Sequence, residues 1–279
     1  EEDSDIADVL KTMPKWNPNG RAMLPLTDDW AEHIEDLKSF HRTNGYGMFA
    51  KFVAFTWRNE EFVPITAIDS IRLTDLKNYE VQRGKVVDNT VAFISDLPAN
   101  NVLLYGDRGT GKSSTVHAIL NEYKNRGLRM IEISKGDIND LTMIREKISD
   151  SPMKFIIFID DLSFDNHDDS FGELKAALEG SLSGRQNNTL IYATSNRRHL
   201  IKENFSDREN DVNRSDTLQE ELSLSDRFGL SITFINPDKK DFEDIVQKIA
   251  TDRGLKSDME KILFTAEQWA RRRGGRSPR

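Results

Sequence analysis

The chain has 279 residues, 37% hydrophobic and 31% charged, which is enough for one large domain or two or three modest ones around a sizeable core. A net charge of −8 gives no global footprint for nucleic acid, and no apolar run reaches the about 18 residues that span a bilayer. The absence of cysteine excludes disulfides and thiolate metal sites, and no secretory signal pattern opens the sequence, so the expectation is a cytoplasmic protein with no membrane partner.

Residues 1–25 are polar, punctuated by Pro14, Pro18 and Pro25, and read as an irregular arm with one short apolar turn at Ile6, Val9 and Leu10. Thr27 then reads as an N-cap for a helix through Thr43, with acids in the first turn and Trp30, Ile34, Leu37 and Phe40 as a packing stripe. Residues 45–57, GYGMFAKFVAFTW, are rich in aromatics and lack the basic face expected at a membrane surface, so they are expected to pack inside. Pro64 starts a new unit. A short linker and a helix from about Asp75 to Phe93 lead to the apolar strand NVLLY, 101–105. Further strands are expected at 129–134, 154–164, 188–196 and 230–235, with helices at 136–149 and 169–182 between them. Strands alternating with helices point to a parallel sheet covered on both faces, with function at the carboxyl ends of its strands. Residues 197–227 read as a charged surface connection with a short helix at DTLQEEL. After Pro237, two amphipathic segments read as the start of a helical lid, the first carrying Phe242, Ile245, Val246 and Ile249 on one face.

The chain is organised around GDRGTGKSS, 106–114, set between the 101–105 strand and a helix that ends near Gly127. Strand, glycine-rich turn and helix make a phosphate-binding loop. Gly106, Gly109 and Gly111 allow left-handed turns that bring backbone N–H groups onto an anion. Lys112 supplies a point charge to the β- and γ-phosphates, and Ser113 is placed to ligate Mg²⁺. The expected nucleotide-binding set therefore runs through Gly106, Asp107, Arg108, Gly109, Thr110, Gly111, Lys112, Ser113 and Ser114.

FIIFIDD, 155–161, is an apolar strand ending in two carboxylates. Asp160 is assigned to Mg²⁺ together with Ser113, and Asp161 to polarising the attacking water. TLIYATSNRR, 189–198, offers Asn196 to orient that water or touch the γ-phosphate, with Thr194 and Ser195 as the fallback choices. LSDRFGL, 224–230, offers Arg227 to stabilise the transferring group, also in trans, against the plainer reading of a salt bridge with Asp226 or the acids at 220–221. GGRSPR, 274–279, offers Arg276 or Arg279 as a lid sensor, with Arg276 preferred. His167 among Asp165, Asp168 and Asp169 reads as a solvated loop before it reads as a metal site.

With these motifs in this order, the sequence from about Ile71 to Arg279 resembles the AAA+ ATPases, and LPANNVLLYGDRGTGKSS with YATSNRRHL resembles a bacterial AAA+ group labelled as a domain of unknown function. GDRGTGKS looks like Walker A, FIIFIDD like Walker B, ATSN like sensor 1, LSDRF like the arginine-finger box and GGRSPR like sensor 2. The resemblance implies a P-loop NTPase of αβα architecture: an N-terminal extension over 1–65, a nucleotide-binding core over 66–235 and a helical lid from 236. It implies ATP or ADP with Mg²⁺, a homo-oligomer with sites between subunits, and a base flanked by Leu76 and Tyr79. Asp161 stands where many such ATPases have Glu, one methylene longer. Three functions compete on this reading. The first is an ATPase that remodels a macromolecular client. The second is a nucleotide-gated loader acting on DNA or a helicase. The third is an ATP-binding scaffold without turnover.

Overall fold

The structure, a computed structural model, describes residues 30–164, 170–179, 188–196, 226–255, 258–273 and 275–277. The arm over 1–25, Thr27, His167, the helix expected at DTLQEEL and Arg279 lie outside the described residues. The chain divides into two compact units, Glu1–Phe40 and His41–Arg279. The described part of the first is a 3-10 turn, Trp30–His33, running into helix α1 (Ile34–Asn44). The expected stripe on α1 is incompletely covered: Leu37 and Phe40 are half-buried, and Ile34 is 59% exposed.

The second unit is built on one seven-stranded sheet. Its strands are β1 (Ala54–Arg58), β2 (Glu61–Pro64), β3 (Val102–Gly106), β4 (Leu128–Ile133), β5 (Lys154–Ile159), β6 (Thr189–Ser195) and β7 (Leu230–Phe234). They lie in the order β2-β1-β4-β5-β6-β3-β7. All neighbours are parallel except the β1–β2 hairpin. The chain therefore forms the α/β, mostly parallel sheet expected of a P-loop NTPase core. Residues 54–64, expected within the N-terminal extension, instead add two strands to the core sheet, with Phe55 opposite Ile131 of β4.

The helices are α2 (Gly47–Lys51), α3 (Glu80–Ile94), α4 (Lys112–Tyr123), α5 (Leu141–Ile148), α6 (Ser170–Glu179), α7 (Lys239–Asp252) and α8 (Met259–Arg272). Successive residues of a strand point to opposite faces, so an unbroken apolar strand feeds two cores. Phe155, Ile157 and Ile159 of β5 pack with Phe49, Phe55, Trp57, Ile144 and Leu174, under α2, α5 and α6. Ile156 and Phe158 pack with Val86, Phe93, Val116 and Ile119, under α3 and α4. Each such side chain removed from water contributes about 1.5–3 kcal/mol, so both faces of the sheet are held by packed helices. The aromatic run at 45–57 packs inside only in part: Phe49, Phe55 and Trp57 are buried, with the Trp57 indole N–H donating to Asp140 Oδ2 at 2.8 Å, while Tyr46 and Met48 are exposed.

Arg129 is fully buried on β4, where sequence alone gives no reason for a cation. Its guanidinium donates to the carbonyls of Asn44 (3.1 Å), Phe49 (2.7 Å), Lys124 (3.0 Å) and Leu128 (2.8 Å). Two of these carbonyls, Asn44 and Lys124, lie at the C-terminal ends of α1 and α4, where partial negative charge accumulates. Two helix starts differ from expectation. Asn78 and Tyr79 take left-handed φ values of 65° and 59°, which delays α3 to Glu80. Residues 135–140 form 3-10 turns before α5 begins.

Helices α7 and α8 lie in the segment expected to begin a lid, each opened by an Asp N-cap, Asp238 and Asp258. Phe242 and Ile245 are buried, and α7 pairs with Lys77 just before α3 through Asp252 (2.5 Å) and with Glu80 at the start of α3 through Lys248 (3.5 Å). Among the described residues, no helix is long and apolar enough to cross a membrane.

Candidate nucleotide site

The loop between β3 and α4 starts at Gly106, whose φ of 131° is a glycine conformation. It ends at Gly111, φ 89°, the N-cap of α4. The first N–H groups of a helix have no partner within the helix, and they carry the positive end of its dipole. Lys112 is 5% exposed. Its ammonium donates to Asp107 O (2.7 Å), Gly106 O (3.0 Å) and Asn196 Oδ1 (3.2 Å). Burial lowers its pKa, while Asp107, Asp160 and Asp161 pull the other way and Arg108 adds to the lowering. The cation is thus buried and hydrogen-bonded, at the root of the loop.

Thr110 Oγ1 closes the loop on Asp107 O at 2.8 Å. Arg108 is exposed, and Gly109 and Ser114 are half-buried. Asp107 also anchors the start of the lid: its N–H donates to Phe234 O (2.8 Å), and its Oδ2 accepts from Asn236 N–H (2.6 Å).

The carboxyl ends of β5 and β6 complete the constellation. Ser113 Oγ donates to Asp160 Oδ1 at 2.7 Å, which brings the two expected Mg²⁺ ligands together. A hydroxyl and a carboxylate are the hard oxygen donors that Mg²⁺ takes, so the residues fit that ion. Asp161 has φ 52°, an uncommon conformation for a residue with a side chain. Its Oδ1 accepts from Asn196 Nδ2 at 2.5 Å. Asn196 therefore bridges Lys112 and Asp161, taking a hydrogen bond from the cation and giving one to the carboxylate.

The other expected residues lie around this centre in different ways. Tyr79 is buried, its ring 5.2 Å from that of Phe234 and its hydroxyl donating to Ile235 O at 2.6 Å. Burial first, then Asp107 and Asp241, push its phenol up to about 12. Leu76 is half-buried, and its carbonyl accepts from Arg83. Asn121 of α4 fixes the preceding turn through Asp69 O (2.6 Å) and Ile71 O (2.9 Å). Arg276 does not contact the phosphate loop: its guanidinium sits on Glu267 of α8 with contacts of 2.7 and 2.9 Å. The next residue does reach it, as Ser277 Oγ donates to Gly109 O at 3.1 Å. Arg227 lies at the opposite end of the sheet. It precedes Leu230, which pairs with Val102, whereas the loop follows Gly106, which pairs with Phe234. About 13 Å of strand separates those two levels, so the fold does not bring Arg227 to the site of its own chain.

Sequence reasoning missed Glu267, Asn121 and Ser277. Glu267 lies nine residues before Arg276, beyond helical pairing distance, and Asn121 acts through a side chain on backbone carbonyls, which leaves no trace in residue type.

A family model described as "Protein of unknown function (DUF815)" matches residues 50–279. The "Probable mitochondrial chaperone BCS1-A" of Dictyostelium discoideum is 30% identical over 145 residues, an alignment covering 43% of this chain and 34% of that protein. The chain spans about a third of the length of this curated relative. The chain belongs to the DUF815 family, an AAA+ family.

Proposed function

We propose that this member of the family is a Mg²⁺-dependent ATPase that works in the cytoplasm as a homo-oligomer and uses hydrolysis to remodel a macromolecular client. The observation that carries the reading is the continuous polar chain Lys112–Asn196–Asp161 beside the Ser113–Asp160 pair, at the ends of three adjacent strands. In this reading the loop amides and Lys112 hold the β- and γ-phosphates, with Leu76 and Tyr79 near the base. Ser113 and Asp160 hold Mg²⁺, which supplies neutralisation of charge on the phosphate oxygens. Asp161 orients the attacking water and takes its proton, and Asn196 steadies that carboxylate. Arg276 leaves Glu267 for the γ-phosphate when the lid closes. Arg227, remote from its own site, serves the next subunit. The similarity to a protein named as a probable chaperone favours a protein client over DNA.

The test is steady-state ATP turnover per subunit across protein concentration, with Lys112→Ala as the blank. Turnover is expected to require Mg²⁺, to rise with concentration and to vanish in Asp160→Ala. Mixed Lys112→Ala and Arg227→Ala chains are expected to regain part of it. ATP binding without turnover above the blank would remove the hydrolytic reading and leave the scaffold. Turnover independent of concentration, with no recovery on mixing, would remove the shared site.

A further inference from the structure

We infer that Thr194 is a positioning residue that sets both strand-end carboxylates at once. The inference rests on the roles proposed above for Asp160 and Asp161. Thr194 lies on β6, one residue beyond Ala193, which pairs with Ile159, and it is 2% exposed. Three hydrogen bonds leave this residue for three successive residues of the neighbouring strand end. Its Oγ1 donates to Asp160 Oδ1. The same Oγ1 accepts the N–H of Asp161 at 2.9 Å. Its carbonyl accepts the N–H of Leu162 at 2.7 Å.

The direction of the two side-chain bonds follows from chemistry. An amide N–H can only donate, so the hydroxyl must offer Asp161 a lone pair, and its single hydrogen is left for Asp160. The accepted N–H belongs to the residue with left-handed φ, a conformation that costs about 1–3 kcal/mol and persists where surroundings over-determine it. Thr194 is the partner that does so. β-Branching restricts its χ1, so the hydroxyl is held toward the strand end before any ligand arrives. One buried hydroxyl therefore couples the direction of the Mg²⁺-holding carboxylate to the backbone turn that aims the water-orienting one. In this inference Thr194 acts through the two aspartates.

The experiment compares Thr194→Val, which keeps shape and removes the hydroxyl, with Thr194→Ser, which keeps the hydroxyl. In Thr194→Val, kcat is expected to fall about ten- to a hundredfold, the range carried by one hydrogen bond to a charged group, with KM for ATP within about threefold. In Thr194→Ser, kcat should return to within about threefold of the parent chain. Amide exchange of the peptide spanning 158–164 in the ligand-free chain should quicken in Thr194→Val and not in Thr194→Ser. Parent-like kcat in Thr194→Val, or a loss in Thr194→Ser as deep as in Thr194→Val, would overturn the inference. Should the parent chain itself lack turnover, the proposed function fails separately. Exchange then decides the positioning role: equal protection in the parent and Thr194→Val overturns it, and loss confined to Thr194→Val supports it.

Discussion

Gly106→Ala probes the geometry on which the site depends. A Cβ at Gly106 would overlap the carbonyl oxygen of Phe234 and lie 2.7 Å from its carbonyl carbon. That neighbour is the backbone of β7, so no side-chain rotation relieves it. Gly106 also has φ 131°, so a side chain there carries conformational strain of about 1–3 kcal/mol before any overlap is counted. The displaced carbonyl is the acceptor for Asp107 N–H, and losing that bond adds about 1 kcal/mol. The expected destabilisation is about 3 kcal/mol or more, which for a domain of this size lowers Tm by roughly 6–12 °C. Gly111→Ala is the control: its φ is 89°, but its Cβ would meet nothing within 4 Å. Strain of about 1–2 kcal/mol is all it should show. Thermal unfolding followed by circular dichroism, with urea midpoints beside it, reads both. A Gly106→Ala Tm within about 2 °C of the parent, or an equal fall in Gly111→Ala, would refute the reasoning.

Two titrations test other parts of the structure. Hydrogen bonding from Arg276 first, and from Arg271, holds the Glu267 carboxyl down to about 2. Its folded value lies below the ordinary one, so its contribution to stability is present above the usual carboxylate range and is lost as pH falls through about 2. Carbon-13 chemical shifts of Glu267 should therefore stay in the ionised range until well below pH 4, and Arg276→Ala should raise the midpoint toward the ordinary carboxylate value, with Arg271 still holding it below. Of the five tyrosines, Tyr79 and Tyr192 are pushed up to about 12, Tyr192 by burial while its hydrogen bonds with Thr90 and Asn89 pull the other way. Their folded values exceed the ordinary value of about 10, so stability from them is intact below that pH and is lost as pH rises from 10 to 12. Tyrosinate absorbance should show two phenols ionising only near the alkaline unfolding transition, and Tyr79→Phe should remove one of them.

The phosphate loop was legible because its information is contiguous: strand, glycines, lysine and helix follow one another without a gap. Asp160, Asp161 and Asn196 were legible because an apolar run that stops at a polar residue marks a strand end, and a parallel sheet gathers such ends on one side. What stayed hidden depended on pairing between distant segments. Nothing near residues 54–64 says that they join β4, because register between strands more than 70 residues apart is set by tertiary packing. Arg129 reads as a surface cation until the helix ends that surround it are in place. Arg276 reads as a lid sensor in the sequence, whereas in this structure Glu267 of α8, nine residues earlier, captures its guanidinium. The start of α3 was placed early because left-handed φ at Asn78 and Tyr79 is a tertiary outcome that residue type only permits.

The β1–β2 hairpin bears on solubility. A sheet assembled from crossovers would present β4 as a bare rim, a row of amides and carbonyls ready to recruit a stray strand. Here the hairpin covers that rim, and the new border is a four-residue strand that begins with Glu61 and ends with Pro64, which has no amide to offer. Short, charged and proline-terminated is how natural sheets discourage edge-to-edge aggregation. Among the described residues, the hairpin thus guards this side of the sheet against indiscriminate strand addition.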